Sequence, residues 1–429
     1  MKIALLTLGC KLNYAETSTY QRGFVANGLE VVDWEDKADV YLINTCSVTQ
    51  HSDNKCRNII RKCHRLAPDA SIVVTGCYAE LKRDEVAAIE GVKLVFGAKE
   101  KAKVVPMTME MLRGAHVETD TTYKERSMVQ EYRDISSDTL SAYSSGGRTR
   151  SFLKVQDGCN NFCAYCTVPY ARGESRNIPI CEIVRQAGMI AADGVKEVVL
   201  TGVNTGDFGR TTGESFLDLL KALDAVEGIE RYRISSIEPN LITHEIIDWI
   251  ASGSKFQPHF HIPLQVGNDE LLKKVGRKYD TALFTERIEY IRQKMEGPGK
   301  PKVFFGIDVI VGLPGETEEM FQDTFNYLEN IIRPAFIHIF PYSKRPGTRA
   351  YDMPDQVQDS RKTERVARLE ELCGRLNAEF IESNRGIRER VLWESSEKGG
   401  KMSGYTGNYI RIEQAYDPAR VGTIEEVTI

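Results

Sequence analysis

Three cysteines stand close together in the stretch VQDGCNNFCAYCTVPYARGESR, which covers residues 155–176. Cys159, Cys163 and Cys166 follow a CxxxCxxC spacing that ten cysteines in 429 residues would give by chance roughly 0.005 times. A structural zinc ion normally takes four nitrogen or sulfur ligands in two pairs, and no second pair lies within the usual reach. A cubane iron–sulfur cluster takes four thiolates, so three leave one iron open to a ligand from outside the protein. The spacing therefore favours an iron–sulfur site over structural zinc or inert buried thiols.

A second set of cysteines is spread over the N-terminal third of the chain. Cys10, Cys46 and Cys77 each come directly after a run typical of a β-strand, in TLGC, INTC and VTGC. If these strands are parallel, their carboxyl ends meet at one edge of a sheet, where α/β proteins bind ligands. Free cysteines are often buried, so three core thiols are the alternative. The placement of all three at strand ends favours a second three-thiolate cluster.

Short β-branched runs alternate with helical patterns along most of the chain. In residues 1–114 this alternation predicts a parallel α/β sheet domain. The polar stretch 115–144 predicts a linker. Six further strand–helix units over 145–372 predict a partial (β/α)6 barrel of the TIM type, with its chemistry at the carboxyl ends of the strands. Short β-like runs in 373–429, which begins within a charged helix, predict a small C-terminal β-barrel.

The overall composition is that of an ordinary globular protein, with 41% hydrophobic residues, 27% charged residues and a mean hydropathy of −0.33. No apolar run approaches the roughly 20 residues that span a bilayer, and the start of the chain lacks the cleavage site of a signal peptide. We therefore expect a cytoplasmic protein, in which clustered cysteines hold metal rather than form disulfides. The net charge of −5 argues against a uniformly basic nucleic-acid binder but allows local basic patches.

Basic residues gather in three places, and charge runs of this kind are usually solvated helix faces. They are Lys55, Arg57, Arg61, Lys62, Arg65, Arg148, Arg150, Lys154, Arg361, Lys362, Arg365, Arg368 and Arg375. Together with the tail aromatics Trp393, Tyr405 and Tyr409 they also predict an RNA-binding surface. The four cysteines outside the two sets are predicted to be buried: Cys56, Cys63, Cys181 and Cys373.

The CxxxCxxC spacing after the first strand of a (β/α) barrel resembles the radical S-adenosylmethionine superfamily. That resemblance implies a [4Fe–4S] cluster whose open iron chelates S-adenosylmethionine and cleaves it to a 5′-deoxyadenosyl radical. The motifs LGCKLN, NTCSV, VTGCYA, HIPLQVGND, GIDVIVGLPGET and FPYSKRPGT extend the resemblance to the methylthiotransferase family over almost the whole chain. This implies an auxiliary [4Fe–4S] cluster on Cys10, Cys46 and Cys77, and a C-terminal TRAM module that binds RNA.

The resemblance also implies cofactor contacts at the strand ends of the central region. They are Tyr165 beside the last cysteine, Gly202 and Asn204 in TGVNTG, Glu238 in SSIEP, Gln265 in HIPLQ and Gly312 in IVGLPGET. A tight turn at Gly202 and a surface carboxylate at Glu238 are the alternatives. Arg172 and Arg176 in ARGESR are candidates for contacting the cofactor carboxylate or RNA.

Within the family, GCKLNYAET resembles the branch that modifies threonylcarbamoyladenosine in tRNA. GCQMN would indicate the isopentenyladenosine branch, and GCPKN the branch that acts on a ribosomal-protein aspartate. The implied reaction replaces the hydrogen on carbon 2 of the modified adenosine 37, on the 3′ side of the anticodon, by a methylthio group. A threonylcarbamoyl group carries a carboxylate that Lys11 could meet, with a solvated surface lysine as the alternative.

The implied partners are the anticodon stem-loop of tRNA and an electron donor such as flavodoxin or ferredoxin. The enzyme is expected to be monomeric and to have no contact with membranes. A different class of function is an iron–sulfur electron-transfer or carrier protein. Such a protein would need neither the long central region nor the β-rich tail, so the sequence favours the enzyme.

Overall fold

The computed structural model describes residues 1–114, 140–146, 149–210 and 212–429. These residues form an N-terminal α/β region, a central α/β region and a C-terminal antiparallel sheet. Most of the linker predicted over 115–144 lies outside them. None of the described helices is long and apolar enough to cross a membrane.

The N-terminal region is a five-stranded parallel sheet in the order β2-β1-β3-β4-β5. Alternate residues of its central strand enter separate cores on the two faces: Tyr41 packs with α2, and Leu42 packs with α1. The strands are β1 Lys2–Thr7, β2 Glu30–Val32, β3 Val40–Thr45, β4 Ser71–Gly76 and β5 Val92–Phe96. The helices are α1 Lys11–Ala26, α2 Gln50–Leu66, α3 Cys77–Leu81, α4 Arg83–Ala87 and α5 Val104–Leu112.

The central region has two three-stranded parallel sheets, β10-β9-β6 and β11-β12-β13, which a parallel bridge between Ser236 and His261 connects. The six parallel strands follow one another in chain order, with helices between them, as the sequence predicts. The strands are β6 Arg150–Lys154, β7 Gln156–Asp157, β8 Arg176–Asn177, β9 Glu197–Thr201, β10 Arg231–Ile234, β11 His259–Gln265, β12 Phe304–Val311 and β13 Phe336–Pro341. The helices are α6 Val168–Arg172, α7 Ile180–Ala192, α8 Phe216–Asp224, α9 His244–Ala251, α10 Asp269–Val275, α11 Thr281–Met295, α12 Glu318–Asn326, α13 Arg349–Asp352 and α14 Asp359–Glu382.

The C-terminal sheet is antiparallel, in the order β16-β15-β14-β17. Its strands are β14 Arg388–Lys398, β15 Lys401–Tyr405, β16 Arg411–Ala415 and β17 Ile424–Thr428. Helix α14 runs across the boundary predicted between residues 372 and 373. It packs on the central region, where the amide of Ile337 donates to the Cys373 Sγ at 3.2 Å. Trp393 lies in the small core of this sheet at 1% exposure, so its predicted contact with RNA is wrong.

A buried cluster of charged side chains joins the N-terminal and central regions. The Glu16 carboxylate of α1 pairs with Lys101 at 2.9 Å and with Lys154 of β6 at 2.8 Å. Asp157 pairs with Lys154 at 2.7 Å and with Arg172 at 2.8 Å. Burial opposes ionisation of Glu16, but its cationic neighbours outweigh that effect and hold the pKa of this carboxyl well below its usual range. We call these five residues the interdomain charge cluster, and it fixes α1 against the loop that follows β6.

Replacing Glu16 by Gln removes one of the two acids from this cluster and leaves three buried cations facing Asp157 alone. We expect the free energy of unfolding at pH 7 to fall by about 3–5 kcal/mol, measured by urea denaturation. The wild-type contribution is present at neutral pH and is lost as the pH falls below the unfolded-state pKa of about 4.3. The exposed pair of Lys62 and Glu35 provides the control, since Glu35→Gln should cost less than about 1 kcal/mol. Equal costs for the two variants would contradict the structural role of the cluster.

Candidate functional site

The first cysteine triplet lies in the loop that follows β7. A Cβ atom at Gly158 would collide with the carbonyl oxygen of Glu174, and the backbone there has φ +76°, so the loop needs glycine at its first turn. Each sulfur has a hydrogen-bond donor: the amide of Asn161 for Cys159 and that of Val168 for Cys166, both at 3.4 Å. The Cys163 Sγ accepts from Arg277 at 3.1 Å. Donors of this kind stabilise thiolates and tune a bound cluster.

These three cysteines line a cavity of about 330 Å³ at the carboxyl ends of the central strands. Four of the residues predicted to contact a cofactor line the same cavity: Tyr165, Asn204, Glu238 and Gln265. Gln265 has φ +73°, a left-handed conformation that side chains rarely adopt. Strain of this kind is concentrated at binding sites. The cavity is of a size that binds small molecules.

Three other predicted contacts do not line this cavity. Gly202 lies beneath it, where a Cβ would meet the Gln156 side chain at 2.9 Å. Gly312 faces helix α14, and the stem of Lys362 occupies the space that a side chain would need. Arg176 is 7% exposed and donates to the carbonyl oxygens of Arg172 and Glu174 at 2.7 and 3.0 Å. Its guanidinium is used inside the loop, so it holds the loop rather than a cofactor.

Several residues that line the cavity were not predicted from the sequence, among them Asn161 and Arg277. Glu238 accepts from Asn161 Nδ2 at 2.9 Å and pairs with Arg277 at 2.6 Å, so one carboxylate connects two neighbours of the cysteines. Val48 and Thr49 come from the N-terminal region and form part of the cavity wall, two and three residues after Cys46. The segment that holds Cys46 of the second triplet therefore also forms part of the wall around the first triplet.

The second cysteine triplet lies at one edge of the N-terminal sheet, as predicted. Cys10 is the N-cap residue of α1, Cys77 is the first residue of α3, and Cys46 follows β3, whose Thr45 is paired with Gly76 of β4. Helix N-termini favour negative charge on the thiolates of Cys10 and Cys77. The Cys10 thiol donates to Asn13 Oδ1 at 3.5 Å. Arg172 donates to the same oxygen, so the interdomain charge cluster reaches this site.

The donor sets fit iron–sulfur clusters better than single metal ions. Burial raises the pKa of Cys77 to about 11 and that of Cys159 to about 12, so these thiols lose their protons only to a bound metal. Three thiolates on one zinc ion lie within about 4.6 Å of one another, twice the Zn–S distance. In the described part of the chain only a His–Asp–His group, outside both triplets, brings three ligand atoms within 4.8 Å. Both triplets are therefore too widely spaced for a single ion.

A much larger cleft, of about 1530 Å³, lies between the three regions of the chain. The N-terminal region contributes Cys10 and Lys11, and the C-terminal sheet and its turn contribute Tyr405 and Tyr409. Their rings stack at 4.9 Å, and the Arg233 guanidinium lies 4.8 Å from the Tyr409 ring centre. Aromatic rings combined with arginine form surfaces on which nucleic-acid bases stack.

A polar group marks the place where the cleft and the small cavity adjoin. Asp308 lines the cavity, while His261 and His338 line the cleft. His261 Nε2 lies 2.6 Å from Asp308 Oδ1, and the two imidazole rings stack at 4.8 Å. Burial and the neighbouring His261 lower the pKa of His338, so this ring is neutral at pH 7. A hydrogen bond between His261 and Asp308 therefore links a side chain of the cleft to a side chain of the small cavity.

Several predicted basic residues are too deeply buried to contact RNA. Lys154 is completely buried in the interdomain charge cluster, and Arg365 is 2% exposed and pairs with Glu316 at 2.6 Å. Arg148 lies outside the described residues. The prediction of buried cysteines is confirmed for Cys56, Cys63 and Cys373 but is wrong for Cys181, which is exposed.

Two family models match this chain. Residues 2–97 match "Uncharacterized protein family UPF0004", and residues 153–328 match the radical SAM superfamily. The chain is similar in fold to the radical S-adenosylmethionine methyltransferase TsrM from Kitasatospora setae, with a TM-score of 0.57 and 15% identity, covering 82% of this chain and 77% of that one. The fold and the first cysteine triplet thus define a radical S-adenosylmethionine protein.

Curated relatives are similar over the full length. The threonylcarbamoyladenosine tRNA methylthiotransferase MtaB of Bacillus subtilis is 38% identical over 100% of this chain and 93% of its own length. That of Aquifex aeolicus is 39% identical, covering 91% of this chain and 92% of its own. A tRNA-2-methylthio-N(6)-dimethylallyladenosine synthase of Thermoanaerobacter pseudethanolicus is 31% identical, covering 99% and 89%. The chain belongs to the MtaB-like family of radical S-adenosylmethionine tRNA methylthiotransferases, which use S-adenosylmethionine and two [4Fe–4S] clusters.

Proposed function

We propose that this enzyme replaces the hydrogen on carbon 2 of N6-threonylcarbamoyladenosine 37 in tRNA by a methylthio group. The observation that carries the proposal is that the first cysteine triplet and one cysteine of the second triplet line two adjoining spaces. Cys159, Cys163 and Cys166 line the small cavity, and Cys10 lines the large cleft. Five relatives at 32–39% identity that carry the name of this activity support it.

When bound, the cofactors supply a 5′-deoxyadenosyl radical and a sulfur atom, chemistry that protein side chains cannot provide. The side chains of the protein bind and orient these cofactors. Cys159, Cys163 and Cys166 would hold the first cluster, with Arg277 donating to the sulfur of Cys163. Tyr165, Asn204, Glu238 and Gln265 would hold S-adenosylmethionine. Cys10, Cys46 and Cys77 would hold the auxiliary cluster at the edge of the N-terminal sheet.

The shape of the chain supports a specific domain layout. We assign the six parallel strands of the central region to a partial (β/α)6 barrel and the sheet over 388–429 to a TRAM module. The open barrel allows the N-terminal sheet to contribute Val48 and Thr49 to the cavity wall. The TRAM module contributes Tyr405 and Tyr409 to the cleft. Both neighbours therefore complete spaces that the barrel alone leaves open.

The proposed partners follow from the cleft and from the chemistry. A flipped nucleoside of the anticodon stem-loop would stack on the aromatic and arginine side chains of the cleft. A small electron-transfer protein such as flavodoxin or ferredoxin would reduce the first cluster. We propose a monomer in the cytoplasm, because all three regions needed for the two spaces come from one chain.

Isopentenyladenosine in tRNA is the second candidate substrate, since relatives at 31% identity carry the name of that activity. An isopentenyl group would need an apolar pocket. The cleft instead presents Lys11 and two histidines of the polar group. Neither modification of a ribosomal-protein aspartate nor a role as an iron–sulfur carrier requires the stacked tyrosines of the cleft. The cleft therefore favours a charged nucleoside.

Deletion of the gene should remove the methylthio form of threonylcarbamoyladenosine from total tRNA, because this enzyme is proposed to install the group. Nucleoside mass spectrometry should show at least a tenfold loss of this form and an equal gain of the unmethylthiolated nucleoside. The methylthio form of isopentenyladenosine is the internal control and should not change. The opposite pattern would move this enzyme to the isopentenyl branch, and no change in either nucleoside would refute the proposed function.

A further inference from the structure

Three arginines that line the cleft each form an ion pair with a glutamate, and among the described residues Lys11 does not. Arg150 pairs with Glu394 at 2.6 Å, and Arg233 pairs with Glu197 at 2.7 Å. Arg411 pairs with Glu413 at 2.9 Å. Within the described ranges, the Lys11 ammonium forms no ion pair and no hydrogen bond.

Lys11 lines the cleft close to the auxiliary cysteines. It is the first residue of α1 and directly follows Cys10. Its ammonium interacts electrostatically with Tyr409 of the C-terminal region, with Arg150 and Arg233, and with Asp308 at the border of the small cavity. Groups of the central and C-terminal regions therefore act on this N-terminal side chain.

An unpaired ammonium in such a place calls for an anion from outside the protein. The side chain retains space around it in the cleft, so it is accessible to a ligand. Arg150 and Arg233, which act on Lys11, have their own carboxylate partners, and Asp308 is hydrogen-bonded to His261. A carboxylate bound here would gain a charge-assisted hydrogen bond in a confined site, where such bonds are strong.

We infer that Lys11 binds the carboxylate of the threonylcarbamoyl group on N6 of the substrate adenosine, an inference that rests on the proposed function. In adenine, C6, which carries N6, is separated from carbon 2 only by N1. The substituent therefore lies near the reacting carbon. Lys11 is likewise adjacent to Cys10, a ligand assigned to the cluster that supplies the sulfur. The N-terminus of α1 would then provide both Cys10, a ligand of the auxiliary cluster, and Lys11, which selects the N6 substituent.

This assignment explains selection between the two nucleosides. An isopentenyl group carries no charge, and it would leave the Lys11 ammonium desolvated and without a partner. A site built to bind a polar group rejects analogues without that group far better than an apolar pocket rejects extra atoms. Lys11 is therefore a specificity-determining residue rather than a catalytic one.

The test compares three anticodon stem-loop RNAs with the reconstituted holoenzyme, without reductant, by fluorescence anisotropy. At position 37 the RNAs carry threonylcarbamoyladenosine, its neutral threoninamide analogue or unmodified adenosine. We expect wild type to bind the carboxylate RNA about 10- to 100-fold more tightly than the threoninamide RNA. Lys11→Met should bind these two RNAs equally, and Lys11→Arg should restore most of the preference. Lys37→Met, at an exposed lysine of the same region, is the matched control and should behave as wild type.

Iron content and methylthiolation of each RNA are measured in parallel, and they separate the possible failures. The assignment of Lys11 is overturned if Lys11→Met keeps the full preference for the carboxylate RNA. It is also overturned if wild type methylthiolates the carboxylate RNA without binding it more tightly than the threoninamide RNA. The proposed function stands in both cases. If wild type methylthiolates an isopentenyl RNA and not the threonylcarbamoyl RNA, both fall. Loss of the preference with unchanged iron content supports the site.

Discussion

Replacement of Cys159, Cys163 and Cys166 together by alanine should abolish reductive cleavage of S-adenosylmethionine. The three sulfurs line one cavity, and no other cysteine lines it among the described residues. Without them the first cluster has no ligands, so the iron content of anaerobically reconstituted protein should fall from about eight to about four per chain. Production of 5′-deoxyadenosine with dithionite, measured by liquid chromatography and mass spectrometry, should fall to the level of the enzyme-free control.

The matched control for this experiment is Cys181→Ala. Cys181 is exposed and lines neither of the two spaces, so its loss should leave iron content and cofactor cleavage unchanged. Binding of the anticodon stem-loop should persist in the triple variant, because the cleft is formed by other residues. Continued formation of 5′-deoxyadenosine by the triple variant would show that the radical site has been assigned to the wrong cysteines.

Replacement of Cys10, Cys46 and Cys77 should have the complementary effect. The iron content should again fall to about four per chain, but cleavage of S-adenosylmethionine should persist because the first cavity retains its cysteines. The methylthiolated nucleoside should be absent from the tRNA product, since the cluster that supplies its sulfur has no ligands. The two triple variants therefore separate radical formation from sulfur insertion.

Arg172 requires attention in that second experiment, because its guanidinium lies at the auxiliary site and also pairs with Asp157. A circular dichroism melt of the triple variant serves as the control for folding. A melting temperature equal to that of the wild-type apoprotein would assign the lost product to the cluster alone. Detection of methylthiolated product at wild-type levels would refute a role for this triplet in sulfur insertion.

The sequence divides six cysteines into two groups by their spacing and by their positions after strands, and their role as cluster ligands stays a prediction. Parallel strands end at a common edge, so cysteines that follow β1, β3 and β4 must lie near one another. Tyr165 was predictable because it adjoins a cysteine. Glu238 and Gln265 were predictable because Glu238 follows β10 and Gln265 is the last residue of β11. For these two residues, the position along a strand determines the position in the site.

Residues that reach a site from distant segments could not be predicted in this way. Arg277 is 114 residues from the cysteine to which it donates, and nothing in its neighbourhood marks it. The wall formed by Val48 and Thr49 depends on how the N-terminal region packs on the central one. Lys154 and Arg365 looked like surface charges because Glu16 and Glu316, acids that pair with them in the fold, are remote in sequence. Pairing across regions is a property of the packed chain, and a local pattern does not encode it.

The interdomain charge cluster has a consequence for recombining members of this family. Glu16 and Lys101 are contributed by the N-terminal region, while Lys154, Asp157 and Arg172 are contributed by the central one. A chimaera that exchanges the first 114 residues with those of a relative would take the two parts of the interdomain charge cluster from different proteins. Charges that fail to match would remain buried without partners, which is costly. Productive exchange of substrate preference between relatives therefore requires that these five positions be transplanted as a set.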